Sequence, residues 1–278
     1  MQRLLLTGGS GKVATLLRER IVRPGRLLRL FDLRPPAQPA DGTLVEYLAG
    51  SVDDLPALHA ACTGADAVIH LGGLAKEGPP RDIIDVNVAG SYAVLEAAHR
   101  AGVSRVVLVS SHHAVGYHEY ADAPPGGMPA DLPARPDTLY GWGKAAAELL
   151  GRLYADRYGM DVICLRVGSW CPEPPDLRGL AHWLSPDDGA RLVEAALSVP
   201  SPGYRIVWGI SANTRRWCSL AAGEAIGYHP RDDAERYAPA LIARYGEPDL
   251  SGDPVQYRLG GAWPDQPLGR PPVPRAAG

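Results

Sequence analysis

The chain has 278 residues, of which 46% are hydrophobic, and this is enough apolar material for one large domain with a substantial core. A formal net charge of −3 and a pI near 6.2 give no electrostatic reason to expect a nucleic acid or an anionic membrane surface as a partner. The apolar run at residues 4–6 is too short for a signal peptide or a membrane span, so we expect a cytoplasmic protein without a membrane anchor. The four cysteines form no C-x-x-C pair and are expected to be reduced thiols.

Seven short apolar segments, each bounded by turn signals, predict the strands of a sheet. They are continuously apolar instead of alternating, which is typical of strands buried on both faces of a parallel sheet. They lie at residues 3–7, 27–31, 44–48, 67–71, 105–110, 161–166 and 204–208. Helix-length segments follow several of them, at 12–21, 54–63 and 83–102, and Gly102 is suited to end the last of these. The alternation predicts a doubly wound α/β fold.

The segment between the first strand and the first helix predicts a nucleotide-binding loop. Gly8 and Gly11, with Ala14 in the third place, give the pattern G-x-x-G-x-x-A. Small residues let the backbone turn tightly and let a pyrophosphate approach the N-terminus of the helix. A phosphate-loop NTPase is excluded, because Leu6 stands where that motif needs its first glycine and Val13 where it needs a hydroxyl.

Asp32 at the end of the second strand favours NAD over NADP. An acid at this place binds the ribose hydroxyls of the adenosine and repels a 2′-phosphate. Arg34 leaves an alternative open, because it could approach a phosphate or stack on adenine.

Tyr140 and Lys144 lie four residues apart at the start of a predicted helix and therefore share one of its faces. The chain has only three lysines, so this spacing is a specific signal. Upstream, the fifth strand ends in Ser110 and Ser111, at the edge of the sheet where ligands bind in doubly wound folds. A neighbouring ammonium, together with the positive charge of the nicotinamide, is expected to lower the phenol's pKa, which is ordinarily about 10. A serine hydroxyl is expected to position the reacting oxygen. Serine, tyrosine and lysine would thus converge beside the nucleotide.

The loop, Asp32, the two serines and "YGWGK" together resemble the extended short-chain dehydrogenases, which include nucleotide-sugar epimerases and dehydratases. The likeness covers most of residues 3–230. It implies a Rossmann-type fold in which Ser111, Tyr140 and Lys144 are catalytic, while Ser110 has a packing role. It also implies a set of residues that bind NAD: Gly8, Gly11, Lys12, Val13, Asp32, Leu71, Gly72, Gly73, Asn87, Tyr140 and Lys144.

Within that group, the segments "IHLGG", "SSHHAVGY", "RPDTLYGWGK" and "VWGISANTRRW" are similar to the uronate dehydrogenases. These are NAD enzymes that oxidise C1 of galacturonate or glucuronate to a lactone, and they form homo-oligomers. The resemblance implies a sugar-binding site made of Ala75, Ser111, His112, His113, Ser169 and Arg178. Arg178 would bind the acid group of the sugar.

Three positions depart from the uronate pattern. Ala75 stands where those enzymes typically have a serine that contacts the substrate, and His112 replaces an asparagine, which exchanges a fixed amide for a titratable group. Ser51 replaces an aspartate that commonly meets the adenine. Open alternatives are therefore a dehydrogenase of another sugar or sugar phosphate, an epimerase or dehydratase, and a non-catalytic sensor of NAD.

For the domain organisation we expect a single Rossmann-type domain over residues 1–262, with a small C-terminal substrate-binding part mainly at about 169–262. A proline-rich tail, irregular or disordered, is expected over 263–278. No metal site is predicted at His112 and His113, because adjacent side chains on an extended strand end point to opposite sides and no acid or thiol pattern accompanies them.

Overall fold

Seven parallel strands form the central sheet of the computed structural model, which describes residues 1–37 and 43–270. The spatial order is β3-β2-β1-β4-β5-β6-β9. The strands are β1 Gln2–Thr7, β2 Arg26–Asp32, β3 Val45–Ala49, β4 Ala67–His70, β5 Arg105–Ser111, β6 Asp161–Val167 and β9 Tyr204–Gly209. All seven predicted strands are present, and the doubly wound α/β fold is confirmed. Two further short strands, β7 Ser169–Trp170 and β8 Trp183–Leu184, pair with each other outside the main sheet.

Helices cover both faces of the sheet. They are α1 Lys12–Ile21, α2 Leu55–Cys62, α3 Pro80–Asp82, α4 Gly90–Arg100, α5 Leu139–Tyr158, α6 Gly179–His182, α7 Pro186–Ser198, α8 Ala221–Glu224, α9 Ala238–Tyr245 and α10 Pro254–Tyr257. One apolar core lies between the sheet and helices α1 and α7, and a second lies between the sheet and helices α2, α4 and α5. Within the described residues, no helix is both long and apolar enough to cross a membrane.

Three local features differ from the sequence expectations. The predicted helix at 83–102 begins as a π-helical stretch, Ile83–Ala89, before it continues as α4. Directly after β5 the chain turns into a 3₁₀ helix, His112–Val115, so the two adjacent histidines do not lie on an extended strand. Their rings therefore do not point to opposite sides, and the ring centroids are only 4.2 Å apart.

The C-terminal segment packs back across the sheet edge as far as it is described. A 3₁₀ turn at Trp263–Asp265 lies against the residues that follow β5, and the backbone N–H of Gly269 donates to Glu77 Oε1 at 2.7 Å. Residues 271–278, the remainder of the predicted tail, lie outside the described residues.

The strand order places a crevice at the carboxyl ends of β1 and β4. The chain runs outward from β1 through β2 to β3 on one side, and from β4 through β5 and β6 to β9 on the other. In an open α/β sheet the ligand binds where the order reverses in this way. The loops after β1, β4 and β5 all end at this crevice.

Candidate active site

A cavity of about 430 Å³ occupies the crevice between the loops after β1 and β4. Gly8 has a φ of +66°, and a Cβ added there would come within 2.7 Å of the backbone nitrogen of Gly72. Glycine is therefore required for the two loops to approach each other. The cavity is lined by predicted residues from both loops: Gly8, Gly11, Lys12, Val13, Asp32, Leu71, Gly72, Gly73 and Ala75. Its shape and its position at the N-terminus of α1 fit the pyrophosphate and ribose of a dinucleotide.

Asp32 ties the nucleotide loop to the end of β2. Its carboxylate accepts the backbone N–H of Ser10 at 3.0 Å and that of Arg34 at 3.3 Å, and the Ser10 hydroxyl donates to the Arg34 carbonyl at 2.7 Å. The carboxylate lines the cavity, where acceptor oxygens can bind ribose hydroxyls. The binding of the ribose by Asp32 stays a prediction.

Asn87 does not line the cavity but holds its wall in place. Its side-chain oxygen accepts the N–H of Leu74 at 2.8 Å, and its side-chain nitrogen donates to the Leu74 carbonyl at 3.0 Å. The buried Asn87 amide, on the π-helical stretch, thus fixes the loop after β4. Asn87 therefore supports the cavity wall, and its predicted role in cofactor binding would be indirect.

The start of α5 explains the glycines that surround the tyrosine and the lysine. The Thr138 side chain caps the helix by accepting the N–H of Gly141 at 2.9 Å. A Cβ on Gly141 would overlap the carbonyl oxygen of His113, so only glycine lets the first turn of α5 lie against the chain that follows β5. Tyr140 is thereby brought next to Ser111, whose hydroxyl lowers the pKa of the phenol.

Lys144 lies one turn after Tyr140, with its Nζ 5.8 Å from the centre of the phenol ring. The ammonium donates to the Val109 carbonyl at 2.8 Å. Serine, tyrosine and lysine are thus brought together, as the sequence predicts. Ser110 points elsewhere, since its hydroxyl donates to Glu148 at 2.6 Å on the far side of β5.

Burial dominates the electrostatics of Tyr140 and Lys144. Burial raises the pKa of Tyr140 to about 12, with Asp137 raising it further and the hydrogen bond with Ser111 lowering it. Burial also lowers the pKa of Lys144 to about 8, while Glu148 raises it. Desolvation of the phenolate therefore sets the direction of this pKa in the protein alone. The lowering expected from Lys144 together with the positive nicotinamide stays a prediction.

His113 is held by an acid that the sequence reasoning missed. Its Nδ1 lies 2.7 Å from the buried carboxylate of Asp137, so the ring donates there and its Nε2 is left as an acceptor when the ring is neutral. The ring stacks on Trp263 at a centroid distance of 4.0 Å and meets the Tyr140 ring edge-on at 5.8 Å. Asp137 lies within the segment "RPDTLYGWGK" and immediately precedes the helix cap, but no role was predicted for its carboxylate, and Trp263 lies in the segment expected to be a tail.

Glu77 is a second buried acid that was missed. One carboxylate oxygen accepts the backbone N–H of Tyr140 at 2.9 Å and the other accepts that of Gly269 at 2.7 Å. It joins the loop after β4, the start of α5 and the C-terminal segment. Nothing in its sequence context marks it, because its partners are separated from it by 63 and 192 residues.

His112 is a neutral group in this structure. Its Nδ1 lies 3.0 Å from the Val167 carbonyl, while burial, followed by the charges of His113 and Arg178, lowers its pKa well below the usual value. The expectation that His112 brings a titratable group to the site near neutral pH is therefore wrong. Its Nε2 is buried and has no hydrogen-bond partner in the protein.

Arg178 reaches the same region from the turn before α6. One guanidinium nitrogen donates to the Leu259 carbonyl, while its Nε is buried without a partner in the protein. Burial lowers the pKa of Arg178 from its usual value, and Asp176 and Asp137 raise it. Ser169 lies opposite Trp183 in the β7–β8 pair, next to the residue that ends α6. A desolvated cation thus lies within the predicted sugar site, as binding of an acid group requires.

No group of three or more metal-ligating side chains occurs in the parts of the chain that the structure describes. The four cysteines are free thiols.

Comparison with known proteins matches residues 4–184 to the NAD dependent epimerase/dehydratase family. The chain is 37% identical to the uronate dehydrogenase of Pseudomonas putida over 94% of this chain and 95% of that protein. It is 34% identical to an NAD-dependent glucose-6-phosphate dehydrogenase of Haloferax volcanii over 85% of this chain and 95% of that protein. A solved structure of a mutant uronate dehydrogenase from Agrobacterium tumefaciens, complexed with NAD, superposes with a TM-score of 0.88 at 36% identity, covering 96% of this chain and 98% of that one.

Proposed function

Because the chain belongs to the NAD dependent epimerase/dehydratase family, we propose that it is an NAD-dependent dehydrogenase that oxidises the C1 hydroxyl of a uronic acid to a lactone. The substrate would be galacturonate or glucuronate. The observation that carries the proposal is the convergence of Ser111, Tyr140 and Lys144 beside the dinucleotide cavity, with the half-buried Arg178 near the same centre. The resemblance to uronate dehydrogenases over nearly the whole chain supports the choice of sugar.

When bound, NAD supplies the hydride acceptor and a positive charge near the phenol. Tyr140 takes the proton of the C1 hydroxyl at its phenolic oxygen, and Ser111 holds that substrate oxygen by a hydrogen bond. Lys144 remains charged at pH 7, because its pKa of about 8 lies above that pH, and so favours the phenolate. Asp137 orients His113 toward the sugar, and Glu77 fixes the backbone of Tyr140.

The acid group of the sugar would be bound by Arg178. A guanidinium that has lost most of its water gains more from a carboxylate than an exposed one does. The orphaned Nε supplies a donor that the protein itself does not use. A planar carboxylate can accept it together with a second N–H of the same guanidinium.

A sugar phosphate is the second candidate. Arg178 also lines a neighbouring cavity of about 350 Å³, together with Arg215 and Arg216, and three arginines suit a phosphate. Arg215 is already paired with Glu235, which makes this candidate the weaker one.

The experiment is a panel of initial rates of NADH formation with galacturonate, glucuronate, their neutral parent sugars and glucose 6-phosphate. We expect turnover of uronates, and a rise in KM of roughly tenfold or more in Arg178→Met, because a charge-assisted contact is lost. Arg152→Met, which alters an exposed arginine paired with Asp156, is the control and should behave as the unmodified enzyme. If only the neutral or phosphorylated sugars are turned over, the proposal that the substrate is a uronate is contradicted.

We also propose that the protein is a homo-oligomer in which α4 and α5 meet a second copy. Trp142, Leu149 and Leu153 recur at helical spacing on the outside of α5, and Tyr92 lies exposed on the neighbouring α4. Leu149 is 69% exposed, and a helical stripe of large apolar side chains of this kind favours association. Light scattering should show a dimer or larger species that Leu149→Glu converts to monomer. A monomeric unmodified protein would overturn this proposal.

A cytoplasmic location is proposed on the free thiols and on the use of NAD. Cell fractionation tests it, and recovery of the protein outside the cytoplasm would contradict it.

A further inference from the structure

Two buried histidines lie side by side next to Arg178. The rings of His112 and His182 are 6.2 Å apart between centroids, with their planes 25° from parallel. The Nε2 atoms of both rings and the Nε of Arg178 are buried and have no hydrogen-bond partner in the protein. Buried polar atoms are nearly always paired, so three unpaired ones at one place indicate that a polar ligand completes them.

The tautomer of His112 is fixed by its backbone contact. Its Nδ1 lies 3.0 Å from the carbonyl oxygen of Val167, and a carbonyl can only accept, so Nδ1 carries the hydrogen. Since burial keeps the ring neutral, its Nε2 has a lone pair and no hydrogen. That atom can be satisfied only by a donor. A hydroxyl group meets this need, whereas an ionised carboxylate does not.

His182 offers the complementary group. Its Nδ1 lies 4.0 Å from the Sγ of Cys218, and burial raises the pKa of that thiol, which keeps its hydrogen. Either atom of this contact can be the donor, and we infer the tautomer in which the thiol donates to Nδ1, so that the Nε2 of the neutral imidazole carries the hydrogen and donates. The two rings together present one acceptor and one donor, and a hydroxyl group both donates and accepts.

The place of the pair in the fold puts it within the sugar site. His112 directly follows Ser111. His182 ends α6, four residues after Arg178, and its carbonyl oxygen lies so close to Gly168 that a Cβ there would overlap it. Arg178 is close enough to lower the pKa of both imidazoles. A hydroxyl bound by the rings would therefore be near whatever group Arg178 binds.

We propose that His182 is a specificity-determining residue that, together with His112, binds the sugar hydroxyl nearest to the acid group held by Arg178. In the pyranose ring of a hexuronate this is the hydroxyl on C4, the carbon at which galacturonate and glucuronate differ. The inference rests on the proposed function and names the substrate group, the C4 hydroxyl, that His112 and His182 recognise. His182 acts in binding and not in the proton transfer at C1.

The test compares galacturonate with its 4-deoxy analogue at saturating NAD. The unmodified enzyme should lose roughly tenfold to a hundredfold in kcat/KM on the deoxy sugar, because the two imidazoles are then left unpaired. His182→Leu should turn over galacturonate with a raised KM and should discriminate between the two sugars by less than about threefold. His182→Gln, which restores an N–H at nearly the same distance, should recover part of the discrimination.

His118→Leu is the matched control. His118 is also a buried histidine, but its Nε2 lies 3.0 Å from the Pro133 carbonyl and so has its partner within the protein. This variant should keep the full discrimination against the deoxy sugar. If His182→Leu does not fold, as judged by NAD binding, His182→Phe carries the same comparison, because it keeps a ring against Trp217 without a polar atom.

An equal loss on the deoxy sugar in the unmodified enzyme and in the apolar variants would overturn the inference, and so would no loss in the unmodified enzyme. An equal loss would mean that other residues bind the C4 hydroxyl. No loss would mean that the two imidazoles bind an internal water molecule. If the unmodified enzyme does not turn over any uronate, the proposed function is contradicted, and the inference that rests on it fails as well. The unmodified enzyme on galacturonate distinguishes the two failures.

Discussion

The phenolic oxygen of Tyr140 lies next to Ser111, where it can accept a proton from a sugar hydroxyl that Ser111 holds. Tyr140→Phe should therefore lower kcat by at least about a hundredfold, the usual contribution of a positioned general base. The affinity for NAD should change little, since the cavity walls are untouched. Stopped-flow rates and a fluorescence titration with NAD measure the two effects. Activity within tenfold of the unmodified enzyme would show that another group takes the proton.

Opposite charges on either side of Tyr140 should move the pH profile in opposite directions. Burial raises the pKa of the phenol to about 12 and Asp137 raises it further, so the rate should increase with pH from neutral to alkaline. Lys144→Met removes a positive charge and should move this limb to higher pH by roughly one unit. Asp137→Asn removes a negative charge and should move it to lower pH. Lys76→Met alters an exposed lysine and should leave the profile in place; shifts of the same sign in both site variants would contradict this account.

At the residue scale, the sequence identifies Tyr140 and Lys144 by their four-residue spacing at a helix start, and Ser111 by its position at the end of a predicted strand. It could not find Glu77 or His182. Glu77 acts on a backbone N–H 63 residues away, and His182 acquires its neighbours only when α6 folds against the turn after β5. The direction of the pKa of Tyr140 was also beyond reach, because desolvation depends on packing that no local pattern encodes.

Among the elements, the N-terminal turn of α5 is packed closely against the chain that follows β5. A Cβ on Gly141 would overlap the carbonyl oxygen of His113, so Gly141→Ala should push the helix away from the 3₁₀ turn after β5. We expect a loss of about 1–3 kcal/mol in the free energy of unfolding and a larger relative fall in kcat than in NAD affinity. Gly78→Ala is the control, since an added methyl there meets nothing within 4 Å. Denaturant unfolding and steady-state rates check both; a fully stable and active Gly141→Ala would refute the close packing.

The strands were predictable at the element scale and some turns were not. Continuous apolar runs such as residues 105–110 identify buried parallel strands whatever their neighbours are. The 3₁₀ turn at His112–Val115 has no such pattern, and the expectation of an extended strand end there was wrong. The turn is capped locally by Ser111 Oγ, which accepts the His113 N–H at 3.2 Å, and the carbonyl of His113 packs against Gly141 of α5.

Across the whole molecule, a buried ion pair joins β5, β6, α5 and the loop near residue 130. Arg166 donates to Glu148 and to the carbonyls of Ala130 and Leu132, and Glu148 also accepts from Ser110. Arg166→Met leaves the Glu148 carboxylate without its cation, and we expect a loss of about 3–5 kcal/mol in the free energy of unfolding. The double variant Arg166→Met with Glu148→Met should recover much of this loss. Equal stability of the single and double variants in urea would contradict the argument.

The predicted α/β topology follows from alternating strand and helix signals, since right-handed crossovers leave few ways to order such strands. The return of the C-terminal segment across the site has no comparable signal. Its sequence is rich in proline and glycine and has no apolar period, so only the contacts of Trp263 and Gly269 reveal where it lies.

The most direct test of the central claim follows the hydrogen on C1. Galacturonate labelled with deuterium at C1 should be converted to its lactone with one equivalent of reduced cofactor, and the label should appear on the nicotinamide ring by NMR. The rate should fall in Tyr140→Phe. Lactone formed without label in the cofactor, or an epimerised or dehydrated sugar without net reduction, would show that the site performs a different reaction.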